Sequence, residues 1–365
     1  NLCKFHNVTV IYAKTNQFKT SDYENSVKEY FRENQEIKGL TLISLAQPRS
    51  VEPLVQINSR IKTTNSAIGV APLYYNAYKS WQKSAFKVAL NLSKNNNFSV
   101  VHQLTSISFR EPGYLWKLNI PFVWGPCSGL VRMPTSFYKG LSIKEIGFEI
   151  VRRAVNHVQS NYSLRIMLAI KKASIIYAVT ENDFNFFKSK SKTKIRQMLD
   201  VGSFVENDLE SIRIKENKLK LIWIGRLVHT KALDILLYAL GKDIELNKKV
   251  ELTIVGEGPL SNRYKNLSDK LNILNVKWLG NIPHDQVFRN LKYSDVLVHT
   301  SIKEATSAVV LEALTHGLPV ICHDAFGMSY AVDDTCGIKI PLESPSKSID
   351  GFYDSINLLS SSNSI

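Results

Sequence analysis

Short apolar runs alternate with longer amphipathic runs along the whole chain. The apolar runs have the length of buried strands, and the amphipathic runs between them are long enough for helices. This alternation is typical of a parallel sheet with crossover helices. The predicted strands cover residues 8–12, 40–44, 100–104, 121–124 and 175–179 in the first half, and residues 219–224, 250–255, 276–279, 296–300 and 318–322 in the second.

A polar stretch between residues 205 and 218, rich in Glu, Asn, Asp and Lys, separates the two sets of strands. The chain has 365 residues, which is long enough for two domains of ordinary size. We therefore predict an N-terminal domain over residues 1–205 and a C-terminal domain over residues 206–365. Doubly wound domains bind their ligands at the carboxyl ends of the strands, so the loops that follow the strands are the place to look for chemistry.

The loop after the strand at 219–224 carries a glycine and two basic residues, Gly225, Arg226 and Lys231. A glycine permits close approach of the backbone to a ligand, and fixed positive charge before a helix attracts anions. Together these parts suit a diphosphate. Taken singly, each also has an ordinary explanation as a turn glycine, a surface arginine or a helix-opening lysine.

The loops after the next two strands are candidates for close contact between the backbone and a ligand. Gly256 and Gly258 follow the strand at 250–255, but the third glycine of the dinucleotide fingerprint is absent, which disfavours hydride transfer. Gly256 marks either a tight turn or a place where a ribose or base lies against the backbone. The backbone near Ile282 is a candidate for recognising a flat base, and His284 is interpreted as a helix-entry residue.

Two carboxylates, Glu304 and Glu312, stand eight positions apart. Glu304 closes the loop after the strand at 296–300, and Glu312 lies inside a predicted helix, where a buried acid is costly unless a polar group satisfies it. Thr306 or Ser307 is predicted to cap that helix, and the amides from Ala305 onward would attract an anion. A surface glutamate and a helix-stabilising glutamate would show the same spacing.

In their order and spacing, these motifs resemble the retaining glycosyltransferases of family 4, which have the GT-B fold. The resemblance covers about residues 217–341 and rests on Gly-Arg-Leu-x3-Lys, Val-Gly-Glu-Gly-Pro, Glu-x7-Glu and His-Gly-Leu-Pro-Val-Ile. The segment 123–129 is similar to a motif of one subset of that family. The resemblance implies an α/β protein with two Rossmann-like doubly wound domains that face a central cleft.

The resemblance also implies roles for individual residues. Arg226 and Lys231 would bind the donor diphosphate and stabilise the leaving nucleotide, Glu304 would bind the transferred sugar near its reacting carbon, and Glu312 would hold the ribose hydroxyls. Further donor-side candidates are Gly225, Ala305, Thr306, Ser307, Gly256 and Ile282. No metal or other cofactor is expected, because Arg, Lys and the helix end would replace it.

The first half departs from the family pattern. Many members carry a histidine near the reacting sugar, whereas the comparable segment here contains Gly125, so His102 on a different strand is the acceptor-side candidate. The opening strand and glycine loop of the first domain, and the closing helix of the second, are expected to be missing. The chain is therefore interpreted as a fragment of a longer protein.

The formal net charge of +14 indicates an anionic partner. Residues 136–172 mix basic and apolar residues, which fits either a core-facing helix or a peripheral contact with an anionic membrane surface. Residues 188–196 are a basic run interpreted as a solvated face. No zinc finger or RNA-recognition signature is present, so no nucleic acid partner is expected.

Four scattered cysteines suit a reducing compartment, and no run of 18 apolar residues occurs. The expected location is cytoplasmic, with a peripheral contact at the inner face of the plasma membrane.

The expected function is the retaining transfer of a sugar from a nucleotide-diphosphate donor to a glycan or lipid-linked acceptor, in surface polysaccharide biosynthesis. Family frequency favours a UDP-sugar. The alternatives are another GT-B enzyme, such as a sugar-phosphate synthase or nucleotide-sugar epimerase, and a non-catalytic nucleotide-sugar-binding subunit.

Overall fold

The computed structural model describes residues 2–15, 22–34, 36–60, 71–104, 106–203 and 218–361. The strands are β1 Val8–Ala13, β2 Leu40–Leu45, β3 Val101–Gln103, β4 Phe122–Cys127, β5 Ala173–Ala178, β6 Lys194–Gln197, β7 Leu219–Ile224, β8 Val250–Val255, β9 Val276–Gly280, β10 Val296–His299, β11 Val320–His323 and β12 Gly337–Ile340. The helices are α1 Tyr23–Glu33, α2 Glu52–Arg60, α3 Ala71–Asn95, α4 Ile143–Tyr162, α5 Leu164–Lys172, α6 Glu181–Lys190, α7 Leu233–Gly241, α8 Ile244–Lys249, α9 Ser261–Lys270, α10 His284–Lys292, α11 Ala308–Thr315, α12 Met328–Ala331 and α13 Pro345–Ser361.

The C-terminal part of the chain forms a six-stranded parallel sheet in the order β12-β11-β10-β7-β8-β9. The strand order runs outward in both directions from β7 and β10, which are neighbours in the sheet but separated by two strands in sequence. This is the strand order of a doubly wound Rossmann sheet, and the point where the direction reverses is its topological switch point.

The side chains of strand β7 show that the sheet lies between two layers of helices. All of its side chains are apolar apart from Lys220, and they alternate between the two faces of the sheet. Leu221 and Trp223 enter one core, which α7, α8, α9 and α13 cover, whereas Ile222 and Ile224 enter the other, which α10, α11 and α12 cover. The sheet is therefore buried on both faces, so the side chains that a ligand can reach lie in the loops at the strand ends.

The N-terminal part contains a parallel pair, β1 and β2, and a four-stranded sheet in the order β3-β4-β5-β6. Strands β3 and β4 pair in parallel, with His102 opposite Val123. The long helix α3 donates a hydrogen bond from Trp81 Nε1 to the carbonyl of Leu45 at the end of β2, at 3.0 Å. The α/β class predicted from the sequence is confirmed.

The described residues form two compact units, residues 1–124 with 164–175, and residues 125–163 with 176–365. The predicted boundary near residues 205 and 206 lies outside the described residues. The second unit includes residues 125–163 because Met133 and Phe137 enter the same core as Leu233 of α7. In addition, Ser136 Oγ donates a hydrogen bond to the carbonyl of Glu343 at 2.7 Å.

All ten predicted strands are present, most within two residues of their expected ends. Two further strands, β6 and β12, were not predicted. Strand β6 lies at an edge, and its alternate residues Lys194 and Arg196 are exposed, so in sequence it is indistinguishable from a solvated basic run. Strand β12 is a four-residue edge strand that opens with Gly337.

Candidate functional site

The candidate catalytic side chains follow the two strands at the switch point. Lys231 lies in the segment after β7, and Glu304 lies in the loop after β10. Because β7 and β10 are parallel neighbours, both segments leave the sheet at the same edge. Topology therefore brings together two residues that are 73 positions apart in sequence.

Lys231 and Glu304 form a direct ion pair, with 2.5 Å between Lys231 Nζ and Glu304 Oε1. Both side chains are about four-fifths shielded from solvent. An ion pair in such a setting is less screened by water than a surface pair, so it keeps a defined geometry. The ammonium group has three donors, which leaves it able to contact a second anion while it holds the glutamate.

A third member of the cluster, His299, was not predicted from the sequence. Its ring is buried at the end of β10, and Nε2 lies 2.9 Å from Glu304 Oε2. Burial lowers the pKa of His299, so the ring is neutral at pH 7 and donates its Nε2 proton to the carboxylate. The available signal was a histidine at the end of an apolar strand, five residues before Glu304.

Glu304 is a carboxylate at any physiological pH. Burial raises its pKa, but the hydrogen bond from His299 and the positive charge of Lys231 outweigh that effect and hold the pKa at about 2. The two oxygens are occupied by different partners, Oε1 by Lys231 and Oε2 by His299. The carboxylate is thus fixed from both sides.

The backbone of Lys231 is anchored to the segment that directly follows β10. Thr300 Oγ1 donates to the carbonyl of Lys231 at 2.7 Å and accepts from Trp223 Nε1 at 2.9 Å. The amide of Ile302 donates to the carbonyl of Thr230 at 2.9 Å. These bonds fix the separation between the Lys231 segment and the Glu304 loop.

The predicted glycines lie together where β7, β8 and β9 end. The Gly225 amide donates to the Val255 carbonyl at 3.0 Å, and the Gly256 amide donates to the Gly280 carbonyl at 2.8 Å. Gly256 has φ +122°, and a Cβ there would lie 2.0 Å from the Gly225 carbonyl oxygen. Glycine is therefore required by backbone contact at position 256, and Ile282 follows two residues after Gly280.

The segment from Ala305 to Ser307 leads into α11 and packs against a second loop. The Gly327 amide donates to the Ala305 carbonyl at 2.7 Å, and a Cβ at Gly327 would lie 2.6 Å from Thr306 Oγ1. Ser307 occupies the N-cap position, but the predicted side-chain cap is wrong, since the hydroxyl makes no capping hydrogen bond in the described structure. Thr306 Oγ1 is buried and has no hydrogen-bond partner among the described residues.

Glu312 lies in the second turn of α11 with its side chain mostly shielded. His284 Nε2 is 3.4 Å from Glu312 Oε1, and His284 also packs edge-on against Phe288. Phe288 in turn stacks on His316 at 5.0 Å between ring centroids. As interpreted from the sequence, His284 is the first residue of its helix, α10.

Three further candidates were predicted from the sequence, Arg226, His102 and Gly125. Arg226 is exposed and directly follows Gly225. His102 is exposed on β3 in the first compact unit. Gly125 has φ +123° in β4, and a Cβ there would lie 2.4 Å from the Tyr177 carbonyl oxygen, so backbone packing accounts for that glycine.

Within the described ranges, no group of three or more His, Cys, Asp or Glu side chains is arranged to hold a metal ion. The expectation that no metal or other cofactor is needed stays a prediction. Among the described helices, none combines the length and the hydropathy that are needed to span a bilayer.

Sequence comparison finds a family match in the C-terminal part. Residues 204–362 match the family described as glycosyl transferases group 1. An uncharacterised glycosyltransferase of Methanocaldococcus jannaschii is 30% identical over 178 residues, which cover 45% of this chain and 44% of that protein. The phosphatidylinositol N-acetylglucosaminyltransferase GPI3 subunit of Saccharomyces cerevisiae is 24% identical over 286 residues, which cover 76% of this chain and 60% of that protein. The chain thus spans about half the length of these relatives.

Structural comparison gives the fold of the whole chain. The lipopolysaccharide outer core galactosyltransferase WaaB superposes with a TM-score of 0.58 at 13% identity, covering 96% of this chain and 91% of that one. Anabaena HepE, solved in complex with UDP, superposes with a TM-score of 0.51 at 15% identity, covering 91% and 80%. The chain therefore has the Rossmann-like fold of GT-B structures, and its residues 204–362 match the family of glycosyl transferases group 1.

Proposed function

We propose that this protein transfers a sugar from a nucleotide-diphosphate donor to a glycan or lipid-linked acceptor. The observation that carries the proposal is the Lys231–Glu304 pair at the switch point of a group 1 domain. A fixed cation beside a fixed carboxylate suits a ligand in which a diphosphate is joined directly to a sugar. The anionic diphosphate needs a positive charge, whereas the sugar hydroxyls need a hydrogen-bond acceptor.

The donor would lie along the carboxyl edge of the six-stranded sheet. Lys231 and Arg226 would contact the diphosphate and stabilise the charge that grows on the leaving nucleotide. The ammonium of Lys231 would keep its bond to Glu304 and use a second donor for phosphate. Glu304, ionised and held by His299, would accept hydrogen bonds from hydroxyls of the transferred sugar.

The nucleoside would occupy the other end of the same edge. Glu312 would accept hydrogen bonds from the ribose hydroxyls, replacing its long contact with His284. The turns at Gly225 and Gly256, which carry no side chain at these positions, would lie against the nucleotide. The backbone near Ile282 would lie against the base. The amides from Ala305 to Ser307 and the buried hydroxyl of Thr306 would complete the sugar-phosphate contacts.

We further propose that the reaction retains the anomeric configuration and needs no metal. The attacking hydroxyl would approach the same face that the diphosphate leaves, and a leaving phosphate oxygen would take its proton. The new bond joins the acceptor oxygen to the anomeric carbon, and the broken bond joins that carbon to the phosphate oxygen. Lys231, Arg226 and the end of α11 would supply the positive charge that a metal provides in other transferases.

The relatives' names favour uracil as the base and a lipid-linked acceptor. HepE was solved with UDP, and the name of the yeast relative joins N-acetylglucosaminyl transfer to phosphatidylinositol. WaaB is named a lipopolysaccharide outer core galactosyltransferase, which is in keeping with surface polysaccharide biosynthesis. We accordingly propose a UDP-sugar donor.

A panel of UDP-sugars tests this proposal, with transfer or slow hydrolysis followed by proton NMR of the anomeric signal. We expect one α-configured donor to give an α-configured product. Glu304→Gln and Lys231→Ala should each lower the rate about a hundredfold or more. Glu343→Gln is the matched control, because Glu343 is an exposed carboxylate paired with Lys347 and should leave the rate unchanged. Inversion of the product, or full rates in both site variants, would contradict the proposal.

The name of the yeast relative also favours a second candidate, a nucleotide-sugar-binding subunit without turnover of its own. The two candidates differ in a single observation. A subunit of this kind would bind UDP with the same dependence on Lys231 and Glu312, yet release no UDP from any sugar nucleotide.

A further inference from the structure

A cavity of about 310 Å³, here called the aromatic cavity, lies between helix α6 and the segment that follows strand β11. The side chains that line it all belong to the second compact unit. They are Glu181, Phe184 and Asn185 of α6, Gln197 at the end of β6, and Phe326, Ser329 and Tyr330 after β11. None of them was predicted from the sequence to bind a ligand.

The α6 wall of the aromatic cavity combines one ring with two polar side chains. Glu181, Phe184 and Asn185 occupy positions i, i+3 and i+4 of the helix, so they share one face. Among the described residues, none is hydrogen-bonded to the side chains of Glu181, Asn185 or Gln197. A carboxylate and two amides are therefore available to a ligand that enters the cavity.

The opposite wall carries two further rings. Phe326 and Tyr330 are four positions apart, and Tyr330 is 57% exposed. Phe326 has φ +61°, a left-handed conformation that is uncommon for a bulky residue. It also packs against the core beneath α12. A glycine would adopt this backbone without strain, so the contacts of the Phe326 ring, with the core and at the cavity, are what compensate for it.

The segment that follows β11 is fixed at both ends and in the middle. Lys339 Nζ donates to the Ser329 carbonyl at 3.3 Å and pairs with Asp324 at 3.7 Å. Between these two contacts, the Gly327 amide donates to the Ala305 carbonyl at 2.7 Å. The rings on this wall are therefore held in place before a ligand arrives.

The bond between Gly327 and Ala305 places the cavity wall beside the candidate sugar site. Phe326 directly precedes Gly327, and Ala305 directly follows Glu304. A ligand that packs against the Phe326 ring would thus lie next to the sugar that Glu304 is proposed to hold.

We propose that the aromatic cavity binds an uncharged sugar ring of the acceptor. This inference rests on the proposed transfer function and adds the place where the acceptor is held. A pyranose has an apolar face of C–H groups, which packs on aromatic rings, and a rim of hydroxyls, which donate to carboxylate and amide oxygens. The cavity offers both, with rings at Phe184, Phe326 and Tyr330 and oxygens at Glu181 and Asn185. Its volume is at the lower end of the range for small-molecule sites, as a single ring requires.

Two other ligands are poorer occupants. A phosphate group needs positive charge, but none of the described residues that line the cavity is basic, and Glu181 would repel an anion. A nucleobase would stack on the same rings. However, the candidate ligand of the ribose, Glu312, lies on α11 and does not line the cavity.

Saturation-transfer NMR tests the aromatic cavity without requiring activity. The full chain is mixed in turn with the methyl α-glycosides of glucose, galactose, mannose and N-acetylglucosamine at millimolar concentration. We expect saturation transfer to at least one of them, strongest at the C–H protons of one ring face. Tyr330→Ala should weaken that binding about fivefold or more, because the ring on the open side of the cavity is lost.

Tyr293→Ala is the matched control, since Tyr293 is a 76% exposed tyrosine at the end of α10 and does not line the cavity. This variant should bind the sugar as the unchanged chain does. If Tyr330→Ala fails to fold by circular dichroism, Asn185→Ala replaces it. The expected loss is then about threefold or more, because one hydrogen bond to a hydroxyl is removed.

Transfer kinetics separate this proposal from the transfer function itself. Tyr330→Ala should raise the KM for the acceptor about fivefold or more, while the KM for the donor and the slow hydrolysis of the donor stay within about twofold. A chain that binds the sugar in the cavity but neither transfers nor hydrolyses any donor would contradict the transfer function alone.

Three results would overturn the cavity proposal. The first is no saturation transfer to any of the four sugars. The second is sugar binding and an acceptor KM in Tyr330→Ala that stay within about twofold of the unchanged chain. The third is UDP binding that Tyr330→Ala weakens, which would assign the cavity to the nucleotide.

Discussion

At the scale of single residues, the candidate site depends on a carboxylate that is held ionised by two neighbours. Glu304 was recognisable in sequence from its spacing to Glu312, and Lys231 from its position after a strand and a glycine. His299 was not recognisable, because a histidine within Val-Leu-Val-His-Thr has the pattern of an ordinary strand end. Its role appears only when the loop folds back and places Glu304 Oε2 at 2.9 Å.

Replacing Glu304 with Gln should destabilise the protein by about 2–4 kcal/mol at neutral pH, because Lys231 is left without its shielded partner. The carboxyl has a lowered pKa of about 2 in the folded state, against 4.5 as the reference value. Its contribution is therefore present above about pH 4.5 and is lost as the pH falls toward 2.

Urea unfolding of both proteins between about pH 7 and about pH 3 measures this effect. The difference in free energy of unfolding should be largest at neutral pH and should shrink toward pH 3. A difference that stays constant with pH would show that the ionised form of Glu304 is not what stabilises the loop.

At the scale of elements, the six-stranded sheet was the most predictable part. Runs such as Leu219–Ile224 are apolar on both faces, which is the pattern of a central parallel strand. The sequence did not predict the outward orientation of α4, since an amphipathic helix has the same pattern whichever face is buried. In the structure, Arg152 and Asn156 donate to the Val131 and Gly129 carbonyls, so the polar side of α4 faces the protein.

The strand-end turns should tolerate no side chain at position 256. Gly256→Ala places a Cβ against the Gly225 carbonyl at a φ that disfavours L residues, so we expect a loss of about 3 kcal/mol or more in the free energy of unfolding. Gly147→Ala is the control. It lies in the exposed middle of α4 with nothing within 4 Å of the added Cβ, and should gain about 0.5–1 kcal/mol. Equal effects of the two changes would refute the packing argument.

His323 couples three elements and should make stability depend on pH. Its Nδ1 proton is donated to the Ser301 carbonyl at 3.1 Å after β10, and its Nε2 accepts from Ser348 Oγ at 2.9 Å on α13. Burial lowers its pKa from 6.5 to about 4, so between those values the unfolded state binds a proton that the folded state does not. Stability should therefore fall as pH drops from about 7 to about 4, by up to about 3 kcal/mol.

The variant His323→Asn isolates this contribution. It should be less stable at pH 7, because part of the hydrogen bonding is lost, but it should lack the pH-dependent decrease that His323 causes. Thermal unfolding at a series of pH values provides the comparison. A variant with the same pH slope as the unchanged protein would assign the slope to other groups.

At the scale of the whole molecule, the GT-B architecture was predictable only through resemblance, because its motifs are individually weak. The domain boundary was placed from a polar stretch at residues 205–218, whereas the compact units group residues 125–163 with the C-terminal sheet. That grouping depends on a few aromatic and aliphatic contacts, such as Phe137 against the α7 core, which no local pattern reveals.

The central claim is that the carboxyl edge of the C-terminal sheet binds a nucleoside diphosphate. Titration calorimetry of UDP, GDP and ADP into the full chain, Lys231→Ala and Glu312→Ala tests it most directly. The account predicts that UDP binds, that each variant weakens binding about tenfold or more, and that the control Glu343→Gln does not. Absence of binding of all three nucleotides to a folded chain, or binding that neither substitution weakens, would contradict it.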